Sequence, residues 1–205
     1  LIFLPAVGTK TKPVMGGHPE DPNKYNRAKF DFTDGSCLLF NDLRKFGWLK
    51  LVTSSEAAKI LDVHGVEPLS RQFTLIKFRE ILARYPGRKI KQLLLDQTLI
   101  AGLGNIYVDE ACFGAFILPL RIVATLTTKE VLDLHTAIIA VLKLSISLKG
   151  TSARNYRRST GEKGGMVSRL KVYGRAKLPC KRCTGTIQKI KLNGRGTHFC
   201  NQCQN

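Results

Sequence analysis

The pattern of apolar positions changes from strand-like to helix-like near residue 67. Before that point, apolar residues come in short runs separated by turn signals, of which Asp34-Gly35 is the strongest. We predict strands over 27–32, 37–40 and 48–52. From residue 71 to 148, apolar residues recur at helical spacing. We predict one helix that starts near residue 75 and is broken by Pro86-Gly87, followed by helices over 90–100, 105–113 and 128–148.

The boundaries between these patterns define three segments and an α+β fold class. Thr127 and Glu130 have the spacing of a capping box at the start of the last helix, and Gly150 is a natural stop at its end. We place the domains at 1–66, 67–170 and 171–205. The first segment has so few strands that its sheet would keep two open edges, and such a sheet is not stable alone. We therefore expect further strands of this sheet to lie outside the chain.

Positive charge is concentrated near the C-terminus. The formal net charge of the chain is +18, and residues 150–205 contain 13 Lys and Arg against one acid, Glu162. A surface of this kind predicts a polyanionic partner, although solvated basic faces on a protein with another role are an alternative. No run of about 18 apolar residues occurs, so the sequence predicts no membrane span.

Four of the six cysteines form two CxxC pairs, Cys180/Cys183 and Cys200/Cys203. Two such pairs, joined by a spacer with an Asn-Gly hairpin turn, are typical of a zinc ribbon with four thiolate ligands. We predict one structural Zn²⁺, because four sulfurs leave no open coordination position. The alternative is a pair of redox dithiols. His198 lies close to this site, and we interpret it as a hairpin residue.

Two glycines interrupt the helical pattern between residues 95 and 110. Gly102 and Gly104 permit a tight reversal, and the helix predicted to start at Asn105 would present free N–H groups to a phosphate. A plain helical hairpin is the alternative. Residues 151–170 are polar and basic without a clear period, and we interpret them as a long mobile loop, a feature that is often functional.

Residues 95–110 closely resemble the helix–two-turns–helix element of the formamidopyrimidine-DNA glycosylase and endonuclease VIII superfamily. Segments 42–47, 172–175 and 194–200 resemble further signatures of this family, in the same order along the chain. The resemblance implies a partial N-terminal β-sandwich, a helical domain and a C-terminal β-hairpin zinc ribbon. It also implies a bacterial monomer that is cytoplasmic and associated with the nucleoid. Its partner would be double-stranded DNA that contains oxidised purines or abasic sites. Its activity would be that of a glycosylase, with an associated lyase activity, that removes 8-oxoguanine and formamidopyrimidines.

The resemblance also assigns roles to individual residues. Phe46 would wedge between bases, and Arg44 would bond the orphaned cytosine, while the damaged base is flipped out of the duplex. The residues expected to contact phosphates around the lesion are Lys91, Asn105, Tyr173, Lys189 and Arg195. The loop expected to close over the everted base includes Arg154, Tyr156, Gly161, Gly164 and Gly165.

The family's catalytic residues have no counterpart in this sequence. The nucleophile of the family is an N-terminal proline followed by glutamates, and Pro5 is no substitute because its nitrogen is an internal amide. We therefore expect this chain to bind DNA without catalysis and to give no covalent adduct in borohydride trapping. An endonuclease VIII-like enzyme for oxidised pyrimidines is the first alternative, and a non-catalytic zinc-ribbon protein that binds nucleic acid is the second.

Overall fold

A computed structural model describes residues 2–4, 25–42, 45–56, 59, 63–151 and 164–205. The strands are β1 (Ile2–Leu4), β2 (Asn26–Asp31), β3 (Cys37–Asn41), β4 (Ile187–Leu192) and β5 (Arg195–Cys200). The α-helices that are described along their whole length are α1 (Leu75–Ala83), α2 (Ile90–Leu94), α3 (Asn105–Gly114) and α4 (Thr128–Ser147). Short 3-10 helices cover Val123–Thr125 and Met166–Arg169. The order of these elements confirms the α+β class.

The N-terminal strands form an antiparallel sheet in the order β1-β3-β2. The predicted turn joins β2 to β3, with Gly35 at φ +79° and the Asp34 carboxylate accepting from the Ser36 N–H at 2.9 Å. The prediction of a strand over 48–52 was wrong. Trp48 and Leu51 are exposed and the segment is irregular, and the edge of β3 is instead paired by β1.

The helical body is built around a core of buried aliphatic and aromatic side chains, which includes Phe78, Leu93, Val108, Leu134 and Ile138. Helices α1 and α4 are each capped by the threonine that precedes their first residue. The Thr74 hydroxyl accepts from the Lys77 N–H at 3.1 Å. The Thr127 hydroxyl accepts from the Glu130 N–H, while the Glu130 carboxylate accepts from the Thr127 N–H at 2.7 Å, which confirms the capping box.

The second helix is shorter than predicted because a side chain competes with its backbone. The helix was expected to continue to residue 100 but ends at Leu94. The Asp96 carboxylate accepts from the N–H and the hydroxyl of Thr98, at 3.1 and 2.7 Å, and this local turn replaces the helical hydrogen bonds. The chain then runs beside Val66, whose carbonyl accepts from the Ala101 N–H at 3.1 Å.

The C-terminal hairpin of β4 and β5 follows the sequence prediction. Asn193 and Gly194 form its turn with φ values of +45° and +76°, the left-handed pair that a two-residue hairpin requires. A small core that contains Phe113, Val172 and Ile187 lies between this hairpin and α3. Across the part of the chain that the structure describes, no helix combines the length and the apolarity needed to cross a membrane.

Candidate nucleic-acid interface and metal centre

The four C-terminal cysteines bring their sulfurs within 4.8 Å of one another. The Sγ atoms of Cys180 and Cys203 are 3.9 Å apart, and those of Cys183 and Cys200 are 3.5 Å apart, with no disulfide among them. Four thiolates at about 2.3 Å from a tetrahedral zinc ion are separated by roughly 3.8 Å. The donor set therefore fits one structural zinc ion.

Backbone N–H groups favour the thiolate over the thiol at Cys180, whereas burial and the neighbouring thiols raise the pKa of Cys183 and Cys203. The Arg182 N–H donates to Cys180 Sγ at 3.4 Å, and the Gly185 N–H donates to Cys183 Sγ at 3.3 Å. Burial alone would raise the pKa of Cys180, but hydrogen bonds, of which the one from Arg182 is the largest, lower it to about 7. The thiolate is the form that binds a metal ion.

The segment that leads into the zinc ribbon is held by a carboxylate on α3. The Glu110 side chain is buried and accepts the backbone N–H groups of Lys171, Val172 and Tyr173 at 2.9 to 3.0 Å. At the other end of the ribbon, Gln204 is buried and donates to the Ile117 carbonyl at 2.7 Å. The ribbon is thus attached to the helical body on both sides.

The glycine turn before α3 is open to its surroundings. Gly102 has φ +76°, which favours glycine, and a Cβ at Gly104 would meet nothing within 4 Å. Gly104 precedes Asn105, the first residue of α3, and the N–H groups of this first turn have no partner inside the helix. An approaching anion therefore finds both space and N–H donors at this turn.

The tip of the zinc hairpin lies against the same end of α3. The Asn105 Nδ2 group donates to the Gly196 carbonyl at 3.0 Å, although 91 residues separate the two in the sequence. Arg195 precedes Gly196 and is exposed. The structure therefore brings Asn105 and Arg195, two of the predicted phosphate-binding residues, to one place.

Lys91 has a different environment from the one predicted. Its side chain is 1% exposed and its Nζ donates to the Asp109 carboxylate at 2.6 Å and to the Gly196 carbonyl at 3.1 Å. Burial lowers the pKa of Lys91, and the neighbouring Asp109 opposes that shift. The ammonium group of Lys91 is thus enclosed and bonded to these partners, and its contact with a phosphate stays a prediction.

Tyr173 and Lys189 flank His198 of β5. The Tyr173 ring is half-buried and meets the His198 ring edge-on, with centroids 4.8 Å apart. Lys189 on β4 pairs with His198 in the strand register and is exposed. His198 is therefore a hairpin residue, as the sequence predicted, and its ring Nδ1 lies 3.2 Å from the Asp109 carboxylate.

Phe46 lies on a separate turn that Asp42 holds in place. The two carboxylate oxygens of Asp42 accept from the N–H groups of Lys45 and Gly47 at 3.0 and 2.6 Å. Lys45 has φ +56°, and Phe46, which follows it, is 75% exposed. This turn displays an aromatic ring on the surface. Arg44 lies outside the described residues.

The loop expected to cap the flipped base is described only at its two ends. Arg154, Tyr156 and Gly161 lie outside the described residues. Gly164 is buried, and a Cβ there would lie 2.1 Å from the Gly150 carbonyl oxygen, so only glycine fits. The Gly165 N–H donates to the Leu148 carbonyl at 2.8 Å. The ends of the loop are therefore closed against each other.

Two family models match the helical and zinc-binding segments just described. The model for the formamidopyrimidine-DNA glycosylase H2TH domain matches residues 64–157, and the model for the zinc finger found in FPG and IleRS matches residues 177–205. The formamidopyrimidine-DNA glycosylase of Streptococcus mutans is 44% identical over 184 residues, which are 89% of this chain and 67% of that protein. The chain belongs to the formamidopyrimidine-DNA glycosylase family.

Other members of the formamidopyrimidine-DNA glycosylase family give the same result. The Bacillus licheniformis enzyme is 44% identical over 92% of this chain and 70% of its own length. The Lactococcus lactis Fpg in a complex with abasic-site DNA superimposes with a TM-score of 0.82, at 37% identity over 100% of this chain and 71% of that one. The Thermus thermophilus MutM (FPG) protein superimposes with a TM-score of 0.81 at 38% identity, over 90% and 70% of the two chains. The chain thus spans about two thirds of the length of its relatives.

Sequence reasoning missed two buried acids of this glycosylase family member. Asp109 and Glu110 lie side by side on α3 and are 0% and 6% exposed. Each binds groups that are more than 60 residues away in the sequence. Their position in the sequence could have indicated that they are buried. They are two adjacent acids between apolar residues of a helix, in a chain that is otherwise strongly basic.

Proposed function

We propose that this chain belongs to a DNA repair glycosylase and lyase that excises oxidised purines, including 8-oxoguanine and formamidopyrimidines, from duplex DNA. The residues of the helical domain and the zinc ribbon would supply the binding of DNA at the lesion. Family membership and the likeness to the Fpg–DNA complex support this proposal. We place its site of action at the bacterial nucleoid.

The observation that carries the proposal is the hydrogen bond between Asn105 Nδ2 and the Gly196 carbonyl. It joins the N-terminus of α3 to the tip of the zinc hairpin, so that the helix N–H groups lie near Gly196, which follows the exposed Arg195. A phosphate is the group that both features bind, since N–H groups at a helix start and guanidinium groups each favour such an anion. Tyr173 and Lys189 extend this surface along the hairpin.

The exposed ring of Phe46 supports recognition of a lesion rather than of DNA in general. An aromatic side chain can enter a base step only if it projects from the surface, and inserting it compensates for lost stacking. The Asp42 carboxylate fixes the turn that displays this ring. We assign Phe46 to a wedge between bases and Arg44 to the gap left by the flipped nucleotide, where it would bond the orphaned cytosine. The loop that includes Arg154, Tyr156, Gly161, Gly164 and Gly165 would close over the everted base.

The domain division of the chain stays a proposal with the boundaries that the sequence suggested. We propose that residues 1–66 belong to a β-sandwich, that 67–170 form the helical domain with its base-capping loop, and that 171–205 form the zinc ribbon. The hydrogen bonds between Gly65 and Gln97 and between Val66 and Leu99 favour a boundary a few residues earlier.

Binding to matched duplexes tests the proposed function. We expect the zinc-loaded chain to bind a duplex with a tetrahydrofuran abasic analogue opposite cytosine more tightly than the same duplex without the lesion. The Asn105→Ala and Arg195→Ala variants should weaken binding to both duplexes, because their contacts are to phosphates. Equal affinity of the unchanged chain for both duplexes would favour the non-catalytic nucleic-acid-binding alternative.

The substrate class is tested by excision assays on the enzyme to which we propose this chain belongs. Excision of 8-oxoguanine in preference to thymine glycol is the expected result. The reverse preference would favour the endonuclease VIII-like alternative.

A further inference from the structure

One buried carboxylate, that of Asp109, binds three groups that surround the proposed phosphate site. Its Oδ1 accepts from Lys91 Nζ at 2.6 Å. Its Oδ2 accepts from the His198 backbone N–H at 2.9 Å and lies 3.2 Å from His198 Nδ1. The side chain of Asp109 is 0% exposed, so it cannot itself touch DNA.

Each partner of Asp109 in turn contacts a residue that we assign to DNA binding or the residue next to one in the chain. Lys91 Nζ donates to the Gly196 carbonyl, beside Arg195, at 3.1 Å. The His198 ring meets the ring of Tyr173 at a centroid distance of 4.8 Å. Asp109 therefore contributes, with Asn105 and Glu110, to the position of the hairpin tip and of the Tyr173 ring relative to α3.

The Gly196 carbonyl accepts from two donors, so it can lose one of them and remain hydrogen-bonded. It accepts from Asn105 Nδ2 at 3.0 Å as well as from Lys91 Nζ. If Asn105 turns its amide group towards a phosphate, Lys91 still satisfies the carbonyl. The hairpin tip then keeps its position while the phosphate is bound, which avoids the cost of a half-buried carbonyl without a donor.

We propose that Asp109 is a positioning residue for phosphate binding, acting through Lys91 and His198 to place Arg195, Asn105 and Tyr173 around one DNA phosphate. This inference rests on the proposed function. Glu110, the neighbouring acid, has a different task, since it binds the backbone N–H groups of the segment that enters the ribbon. The buried pair of Asp109 and Lys91 thus couples the hairpin tip, rather than the whole ribbon, to α3.

The test measures DNA affinity at several salt concentrations. The Asp109→Asn variant keeps the shape of the side chain but replaces one of its two acceptor oxygens by an NH2 group. It can therefore no longer accept from both Lys91 and His198. A second variant, Lys91→Met with Asp109→Leu, replaces the ion pair by apolar side chains, an exchange that often preserves stability. The probe is the tetrahydrofuran duplex, and zinc content and the unfolding temperature are measured on each protein.

The matched control is Glu130→Gln. Glu130 is also an ion-paired carboxylate that accepts a backbone N–H, but its partners are Arg121 and Thr127. Its loss should lower stability and leave DNA binding unchanged. Arg195→Ala serves as the reference for the removal of a side chain that binds a phosphate directly.

We expect both Asp109 variants to retain one zinc ion and to bind the duplex about tenfold more weakly or worse, the size of one lost hydrogen bond to a charged group. The slope of log affinity against log salt should also fall by about 0.9 for each phosphate that the variant no longer binds. A purely structural role would lower the unfolding temperature only. Unchanged affinity and slope in the folded double variant would overturn this inference, whereas an unchanged affinity of Arg195→Ala would overturn the proposed phosphate site itself.

Discussion

The guanidinium group of Arg182 lies between the rings of Phe113 and Phe116, 3.8 and 3.6 Å from their centroids. Arg182 lies between two zinc-ligating cysteines, and both aromatic residues belong to the end of α3 and the turn after it. Its Nη2 also donates to the Phe113 carbonyl at 2.6 Å. The zinc-binding turn that contains Cys180 and Cys183 is therefore joined to the helical body by the Arg182 guanidinium, which lies between two aromatic faces.

Removing the Arg182 side chain should weaken the attachment of the ribbon. We expect Arg182→Ala to lower the free energy of unfolding of the zinc-loaded chain by about 2 kcal/mol, since both a cation–π pair and a hydrogen bond are lost. Denaturant unfolding measures this value. Lys143→Ala, which removes an exposed lysine of α4, is the control and should change stability by less than about 0.5 kcal/mol. Equal stability of the two variants would contradict the role assigned to Arg182.

Removal of zinc should unfold the hairpin that carries Arg195. We expect one zinc per chain, and we expect Cys183→Ser or a strong chelator to remove it. Structural zinc contributes about 10–16 kcal/mol to small zinc-binding units at neutral pH, so the ribbon should not remain folded without it. Amide hydrogen exchange of residues 187–200 measures the unfolding, and duplex binding should be lost in parallel. Retained protection without metal would show that the packing against α3 is sufficient.

A substitution at Gly104 should affect DNA binding more than it affects the stability of the fold. A Cβ at this residue has nothing within 4 Å, and its φ of −97° suits other residues. We expect Gly104→Ala to cost less than about 1 kcal/mol of stability, the ordinary cost at a helix N-cap, but to weaken DNA binding because the methyl group occupies the path of a phosphate. Thermal unfolding and duplex titration on the same sample measure both effects. Unchanged affinity would place the phosphate elsewhere.

The ion pair between Arg121 and Glu130, at the start of α4, should stabilise the fold by an amount that depends on pH. Burial alone would raise the pKa of Glu130, but hydrogen bonds from Arg121 and Thr127 lower it overall. Because the pKa is lower in the folded state, the contribution is complete above about pH 4.5, the value of a free glutamate, and is lost as the pH falls through the folded-state value. The stability difference between the unchanged chain and Glu130→Gln should therefore be about 1 kcal/mol at pH 7 and shrink below pH 4. A difference that does not vary with pH would contradict this assignment.

Phe46 should affect lesion preference without affecting the fold. Its ring is 75% exposed, so Phe46→Ala should change the unfolding temperature little. We expect the preference for the tetrahydrofuran duplex over the undamaged duplex to disappear, because the apolar wedge between the bases is lost. Phe46→Leu keeps an apolar wedge and is the control. Full preference in Phe46→Ala would leave the exposed ring without a role in recognition.

The parts of this structure that the sequence predicted are those set by short-range signals. Asn193 and Gly194 require the left-handed turn that they adopt, and the cysteine spacing predicts the metal cluster. The capping box at Thr127 is equally local. Each of these depends on residues within a few positions, or on a motif with few structural solutions.

The parts that the sequence did not predict depend on distant partners. The strand assigned to 48–52 has the right composition but no neighbour in the sheet, whereas Ile2–Leu4 is too short to give a pattern and still pairs with β3. Lys91 was assigned to phosphate because of the resemblance, and its burial depends on Asp109, 18 residues away. His198 and Asp109 are 89 residues apart, and no spacing rule connects them.

Joint binding of one phosphate by the N-terminus of α3 and the tip of the zinc hairpin is central to the proposed function. A double-mutant cycle of Asn105→Ala and Arg195→Ala, measured as affinity for the tetrahydrofuran duplex at one salt concentration, tests it most directly. If the two residues hold the same phosphate, their effects are coupled by about 1 kcal/mol or more, and the double variant is weakened by less than the sum of the single changes. Strictly additive effects would contradict joint binding, because they would mean that the helix and the hairpin contact DNA independently.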